Sequence, residues 1–338
     1  MKRRSTRHSA RVRSFERSFA AIARSAMKSG TRALEQVLKP ARARRTPPPG
    51  AGTWLAGIAL GAAGARRFRL YRPPGVKFGE RLPLMVMLHG CGQDANGFAA
   101  STRMNRIAMR ERFLVLYPEQ DRLANAQGCW NWFDTASGRA QGEVALIMAA
   151  VDQVCLLHPV DRARVAIVGL SAGASMAAFL VTRHPGRFKA VVMHSGIPPG
   201  TAHSSLSALA AMHGHRRTLP LTAKPSATEA RWPPLLVIHG NADAVVSPQN
   251  GQAAVDVWAH AAGARAIQAR IVQRGKRYPM SVTDFRRKGS TVATLVVVDR
   301  LAHAWSGGAA SKPFSDEQGP DASRMAWAFA SRQFRSDA

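Results

Sequence analysis

Gly169-Leu170-Ser171-Ala172-Gly173 is the stretch of this chain best equipped for chemistry. It follows the apolar run Val165 to Val168 and precedes a helix-forming run through Ala177, Ala178, Phe179, Leu180 and Val181. That order predicts a strand, a tight turn and a helix. The two glycines let strand and helix approach, and Ser171 Oγ is left exposed beside the first N–H groups of the helix. A serine hydroxyl is a weak nucleophile alone. It needs a base, and it needs donors where negative charge develops. His303, in Leu301-Ala302-His303-Ala304-Trp305-Ser306-Gly307-Gly308, has the position for the base, after the last strand. Asp243, after an apolar run ending in His239-Gly240-Asn241-Ala242-Asp243, has the position for the carboxylate that orients it. Asp256 and Asp299 are the rival acids, one within a predicted helix and one on a predicted strand. His194 and His239 also end strands and read as packing or loop-fixing residues. The Ala172 N–H is one expected oxyanion donor. The other is the Cys91 N–H in His89-Gly90-Cys91, at the end of an early strand.

The elements that must position these groups alternate. Strands are predicted over Trp54–Leu60, Ala65–Tyr71, Leu82–Leu88, Phe113–Tyr117, Arg164–Leu170, Ala190–His194, Leu235–His239, Val282–Arg286 and Ala293–Val298. Helices are predicted over Asn96–Arg112, Glu143–His158, Gln249–Ala262 and Asp321–Phe334. Residues 196–232 are long, polar and weakly patterned, and read as a lid or insertion. Continuous apolar runs such as Leu82–Leu88 belong in strands covered on both faces. The alternation predicts an α/β fold, a mostly parallel sheet with helices on both faces, whose sites form at the carboxyl ends of the strands.

The chain has 338 residues, room for one large domain and an extension. Its 48 Lys and Arg against 20 Asp and Glu give a net charge of +28, which favours anionic surfaces. Residues 1–45 carry 14 basic and 2 acidic residues. Val12, Phe15, Phe19, Ile22 and Ala26 recur at helical spacing there, so the segment reads as a basic amphipathic arm for an anionic or granule surface, with a solvated, disordered basic tail as the alternative. It does not read as a signal peptide, because Arg17, Arg24 and Lys28 interrupt the apolar stripe. Residues 46–51 read as a proline-rich linker, and residues 52–338 as the catalytic domain. No apolar run long enough for a transmembrane segment is found, and no specific nucleic-acid site is predicted. Three cysteines are too few for a disulfide scaffold.

The order Ser171, Asp243, His303 is that of the α/β-hydrolase fold. With Leu88-His89-Gly90-Cys91, Tyr117-Pro118-Glu119-Gln120, Cys129-Trp130-Asn131-Trp132-Phe133, Gly142-Glu143 and the His303 loop, the chain resembles the esterases of the poly(3-hydroxybutyrate) depolymerase family. That family is similar to feruloyl and acetylxylan esterases. The resemblance spans about Trp54 to Phe334. It implies a catalytic triad of Ser171, Asp243 and His303, and a disulfide from Cys91 to Cys129 beside the oxyanion site. No metal and no cofactor is expected. Cys155 has no partner in that pattern.

The expected reaction is hydrolysis of poly- or oligo-3-hydroxybutyrate, or of related short hydroxyacyl esters. Feruloyl or acetylxylan ester hydrolysis is the alternative, and a binding role for the basic arm is the non-enzymatic one. Trp130, Trp132 and Trp305 are the expected contacts to a polyester or small ester substrate. The resemblance and the disulfide imply export, with an intracellular granule surface as the alternative location.

Overall fold

A computed structural model describes residues 51–215 and 232–335. The expected arm, the linker up to residue 50, and residues 216–231 of the expected insertion lie outside the described residues.

One eleven-stranded sheet organises the described residues, with the order β1-β2-β4-β3-β5-β6-β7-β11-β10-β8, and β9 pairing with β10. The strands are β1 (Thr53–Gly61), β2 (Gly64–Arg72), β3 (Leu82–Leu88), β4 (Leu114–Pro118), β5 (Val160–Leu170), β6 (Ala190–His194), β7 (Leu235–Gly240), β8 (Arg265–Ala266), β9 (Arg270–Val272), β10 (Met280–Arg287) and β11 (Ser290–Val298). The central six, β4-β3-β5-β6-β7-β11, are parallel. The flanks are antiparallel: β1–β2 packs beside β4 at one side, and β10 with β8 and β9 closes the other.

The central strands are apolar on both faces because both faces are covered. Every residue of β3, β4, β6 and β7 is buried. Side chains alternate between two layers, as the two-residue strand period requires. Leu84, Val86, Val165, Ile167, Leu235 and Val237 face one layer. There they meet α3 (Arg139–Leu157), α4 (Ala172–Arg183) and α6 (Gln249–Ala262). Met85, Met87, Ala166, Val168, Leu236 and Ile238 face the other. That layer is covered by α1 (Ala95–Thr102), α2 (Met104–Glu111) and α7 (Ala322–Gln333). Helix α3 is long and apolar enough to cross a membrane by composition alone. Val144, Ile147, Val151 and Val154 on it are spent on this core instead.

The helix expected over residues 96–112 is two helices, broken at Arg103. Arg103 takes a left-handed conformation (φ 56°), and its N–H caps α1 on Ala99 O. The break aims its guanidinium at the distant loop after His303, where Nη2 donates to Gly307 O at 2.6 Å and Gly308 O at 2.8 Å. A short helix in the expected insertion, α5 (Ser205–Met212), is started by a capping box between Ser204 and Ser207. A second small sheet pairs β12 (Trp305–Ser306) with β13 (Ser315–Asp316).

The parallel register places the ends of the central strands in one row. Leu88 pairs with Gly169, Leu170 with His194, His194 with Ile238, and Gly240 with Val298. The loops carrying Cys91, Ser171, Asp243 and His303 all leave from that edge.

Candidate active site

Ser171 sits between β5 and α4 with φ 55° and ψ −122°, a conformation an L-residue adopts only under strain. Its N–H donates to His194 O at 2.8 Å, which holds the turn on the neighbouring strand. Closeness enforces the glycines. A Cβ on Gly169 would run into the Gly173 carbonyl, and one on Gly173 into Leu88 O.

His303 bridges the other two groups. Its Nε2 lies 3.0 Å from Ser171 Oγ and its Nδ1 lies 2.8 Å from Asp243 Oδ2. Asp243 is almost fully buried. Its Oδ1 accepts from Val245 N at 3.0 Å and Val246 N at 2.9 Å, so the carboxylate is fixed by its own loop. Burial pushes its pKa up, but the His303 and His239 imidazoles outweigh that and hold it well below the usual carboxylate range. A carboxylate on Nδ1 keeps the proton there and leaves Nε2 free to accept from Ser171.

The two rival acids are elsewhere. Asp256 accepts from Gln252 on the surface of α6, and Asp299 accepts from Asn241 Nδ2 at 2.8 Å. His239 and His194 are buried and fix loops, as expected from sequence. His239 Nε2–H donates to Val246 O at 2.9 Å and faces Asp243 Oδ2 at 3.4 Å, while its Nδ1 has no partner among the described residues. His194 stacks on Trp305, accepts from Ser306 N at 3.1 Å, and donates Nδ1–H toward Ser195 Oγ at 3.2 Å. Burial and the neighbouring His239 and His303 lower its pKa to about 3, so it is neutral at all ordinary pH.

Ala172 opens α4, where the first N–H groups have no partner within the helix. Cys91, Ser171 and Ala172 together line an open cleft whose empty space, counting the solvent at its mouth, is about 440 Å³. Neither the Cys91 N–H nor the Ala172 N–H has a protein acceptor among the described residues. The other walls include Cys129, Trp130, Trp132, Phe133, Ile197, the polar Asn125 and Gln127 and, from α5, Ala208 and Met212. The described part of the insertion therefore forms one wall of the cleft. Cys91 and Cys129 are joined in a disulfide, and Cys155 is free and buried.

Trp305 departs from its expected role. It is fully enclosed on the far face of the sheet, edge-on to Phe98, with its Nε1–H on Ser323 Oγ at 3.1 Å. The same loop that presents His303 outward buries Trp305 two residues later, so it anchors the loop and does not line the cleft. Trp130 and Trp132 do line the cleft, though the Trp130 indole is wholly packed and donates to His89 O at 3.0 Å.

Three positioning residues have no chemical signature in the sequence. Asn241 ties the Asp243 loop to the His303 loop by accepting from Arg300 N at 2.8 Å and donating to Asp299. Arg103 holds Gly307 and Gly308. Glu143 accepts from Asn131 and Gln120 beneath the tryptophan loop. Glu143 was visible only as part of the Gly142-Glu143 family match, and Arg103 only as a cation on a helix.

The parallel strand row, the strained serine and the Ser–Asp–His chain order define an α/β-hydrolase. The chain belongs to the esterase family of the PHB depolymerases: that family's profile matches residues 66–299. The family is one of carboxylic ester hydrolases. Among curated relatives, poly(3-hydroxyalkanoate) depolymerase C of Paucimonas lemoignei is 32% identical over 181 residues, 52% of this chain and 44% of that protein. The chain thus matches less than half the length of that relative. Feruloyl esterase B of Neurospora crassa is 26% identical over 212 residues, covering 58% of this chain and 70% of that one. Among solved structures, acetyl xylan esterase from Aspergillus awamori superposes with a TM-score of 0.61 at 18% identity, over 75% of this chain and 94% of that one.

Proposed function

We propose that this protein is a serine esterase acting on poly- or oligo-3-hydroxybutyrate or related short hydroxyacyl esters. The observation that carries the reading is His303 held between Asp243 and Ser171 at 2.8 and 3.0 Å, beside a strained serine. Ser171 Oγ attacks the ester carbonyl while His303 Nε2 takes its proton. The carbonyl electrons collect on an oxygen facing the Cys91 and Ala172 N–H groups. Collapse of that intermediate expels the alcohol, which leaves with the proton from His303, and Ser171 is acylated. Water, deprotonated by the same imidazole, then releases the acid. Asp243 stays ionised throughout and stabilises the imidazolium.

The cleft supports a short acyl group. Its wall is mostly apolar, and Trp130, Trp132 and Phe133 crowd it beside the cystine. Feruloyl or acetylxylan ester hydrolysis is the second reading, favoured by the feruloyl esterase and acetylxylan esterase relatives. The disulfide supports an oxidising compartment and hence export.

The deciding experiment compares kcat/KM on 3-hydroxybutyrate oligomers, p-nitrophenyl acyl esters and methyl ferulate, with Ser171→Ala as the control. Highest turnover on the hydroxybutyrate oligomers supports the first reading. Preference for methyl ferulate replaces it with the second. Activity in Ser171→Ala above a tenth of wild type removes the nucleophile assignment and both readings with it.

A further inference from the structure

Beneath the cleft lies a buried polar cluster that the reaction does not use. Arg66, Gln120, Asn131 and Glu143 are each at most 3% exposed. Glu143, in the first turns of α3, receives three hydrogen bonds, all from the segment that carries the tryptophans. Its Oε1 accepts from Gln120 Nε2 at 2.6 Å and Asn131 Nδ2 at 2.7 Å, and its Oε2 accepts from Asn131 N at 2.9 Å. Gln120 continues the network. Its Nε2 also donates to Cys129 O at 2.9 Å, and its Oε1 accepts from Asp121 N and from Arg66. The Arg66 guanidinium lies over the Trp130 ring at 5.4 Å. Asn131 Oδ1 accepts from Asn125 Nδ2 at 3.0 Å, and Asn125 Oδ1 accepts from Gln127 N and Cys129 N.

That segment in turn clamps the loop carrying the proposed oxyanion donor, on both sides of residue 91. Before it, His89 Nε2 accepts from Gln120 N at 3.0 Å, and His89 O accepts from Trp130 Nε1 at 3.0 Å. After it, Gly92 N donates to Gln127 O at 2.9 Å. At residue 91 itself the link is the disulfide to Cys129. The path from Glu143 to the Cys91 peptide therefore runs through contiguous hydrogen bonds and one covalent bond, with water excluded from its hub.

We infer that Glu143, acting through Gln120 and Asn131, is a positioning residue that sets the Cys91 N–H against the developing oxyanion. The inference rests on the proposed ester hydrolysis with Cys91 and Ala172 as oxyanion donors. An oxyanion donor contributes in the transition state and little in the ground state, and about 1 Å of misplacement can cost on the order of 100-fold. Glu143 is suited to the task because only a carboxylate can accept at both ends. In Glu143→Gln one end becomes an N–H pair. Turned toward Asn131 N it opposes one donor, and turned the other way it opposes two. In either case the buried segment must shift to relieve the clash.

The test uses the whole chain with Glu143→Gln and three readouts. The first is steady-state hydrolysis of p-nitrophenyl butyrate. The second is inhibition by a butyl trifluoromethyl ketone, which Ser171 converts to a tetrahedral oxyanion. The third is inhibition by an ether analogue of the substrate, which has the same chain but no carbonyl. Expected are a fall in kcat of roughly 10- to 100-fold, a matching rise in the ketone inhibition constant, and ether affinity within about threefold of wild type. Equal losses for ketone and ether overturn the inference, because Glu143 then only shapes the cleft wall. Unchanged kcat and ketone affinity also overturn it, because Glu143 then serves stability alone. If Glu143→Gln does not fold, Asn131→Ala, which removes one of the two donors to Glu143 Oε1 without altering the cleft lining, carries the same three readouts. A loss in kcat matched by the loss in ketone affinity, with ether affinity within about threefold of wild type, supports the inference, and its absence refutes it. Failure of the underlying esterase reading is read separately, as ketone inhibition and hydrolysis that persist in Ser171→Ala.

Discussion

Replacing Asp243 by Asn should inactivate the enzyme by reversing one imidazole tautomer. The carboxylate meets four N–H groups. Oδ1 takes those of Val245 and Val246, while Oδ2 takes His303 Nδ1–H and faces His239 Nε2–H. An amide has one acceptor end. The two backbone donors cannot change, so the Asn oxygen must occupy the Oδ1 position and its NH₂ the Oδ2 position. His303 can then bind the amide only by accepting at Nδ1, which puts its proton on Nε2, 3.0 Å from Ser171 Oγ. That nitrogen can no longer accept the serine proton. The loss should be on the order of 10⁴-fold in kcat, about 5 kcal/mol of transition-state stabilisation, with little change in the oxyanion site. The assay is hydrolysis of a p-nitrophenyl ester at pH 7, in protein made free of wild-type contamination, together with nitrogen NMR of the His303 ring. Wild type should show Nδ1–H and the variant Nε2–H. A loss below about 100-fold, or a variant that keeps Nδ1–H, refutes the reasoning.

Acid should destabilise the fold through two buried histidines. Burial, reinforced for His194 by His239 and His303, lowers the pKa of His89 to about 4 and of His194 to about 3, while each takes a proton near 6.5 once unfolded. Their contribution is therefore complete above pH 6.5 and is lost as pH falls, by about 4 kcal/mol for the pair between pH 7 and 5. Urea midpoints measured across that range should fall steadily, and a flat profile would contradict neutral burial. Reducing the Cys91–Cys129 bond should lower kcat before the protein unfolds, because the bond ties the loop of the proposed oxyanion donor to the cleft wall. Activity and tryptophan fluorescence followed together during reduction would expose a simultaneous loss, which is the contrary result. Gly173→Ala should prevent correct folding or cost several kcal/mol, because its Cβ meets the Leu88 and His89 carbonyls. A soluble variant with wild-type melting temperature would show that the elbow has room.

Residue pattern alone fixed the parts of this protein that are repeated or local. Apolar runs of strand length placed β3, β6 and β7 to within a residue or so, because strands buried on both faces leave no polar position to blur the ends. The serine turn was legible because its glycines answer a local steric demand. Asp243 could be nominated over Asp256 and Asp299 because it alone is expected in a loop after a buried strand, the others falling in a predicted helix and on a predicted strand. Tertiary structure decided what depends on distant contact. The 96–112 helix breaks at a left-handed Arg103, whose guanidinium meets carbonyls some two hundred residues on. Trp305 is an anchor rather than a substrate contact because the loop turns over between residues 303 and 305, and no periodicity records which way an irregular loop faces. Glu143 is an ordinary helix carboxylate in sequence. It becomes the hub beneath the cleft only when α3 is laid under the tryptophan segment, because a buried hydrogen-bond network is defined by who meets whom in space.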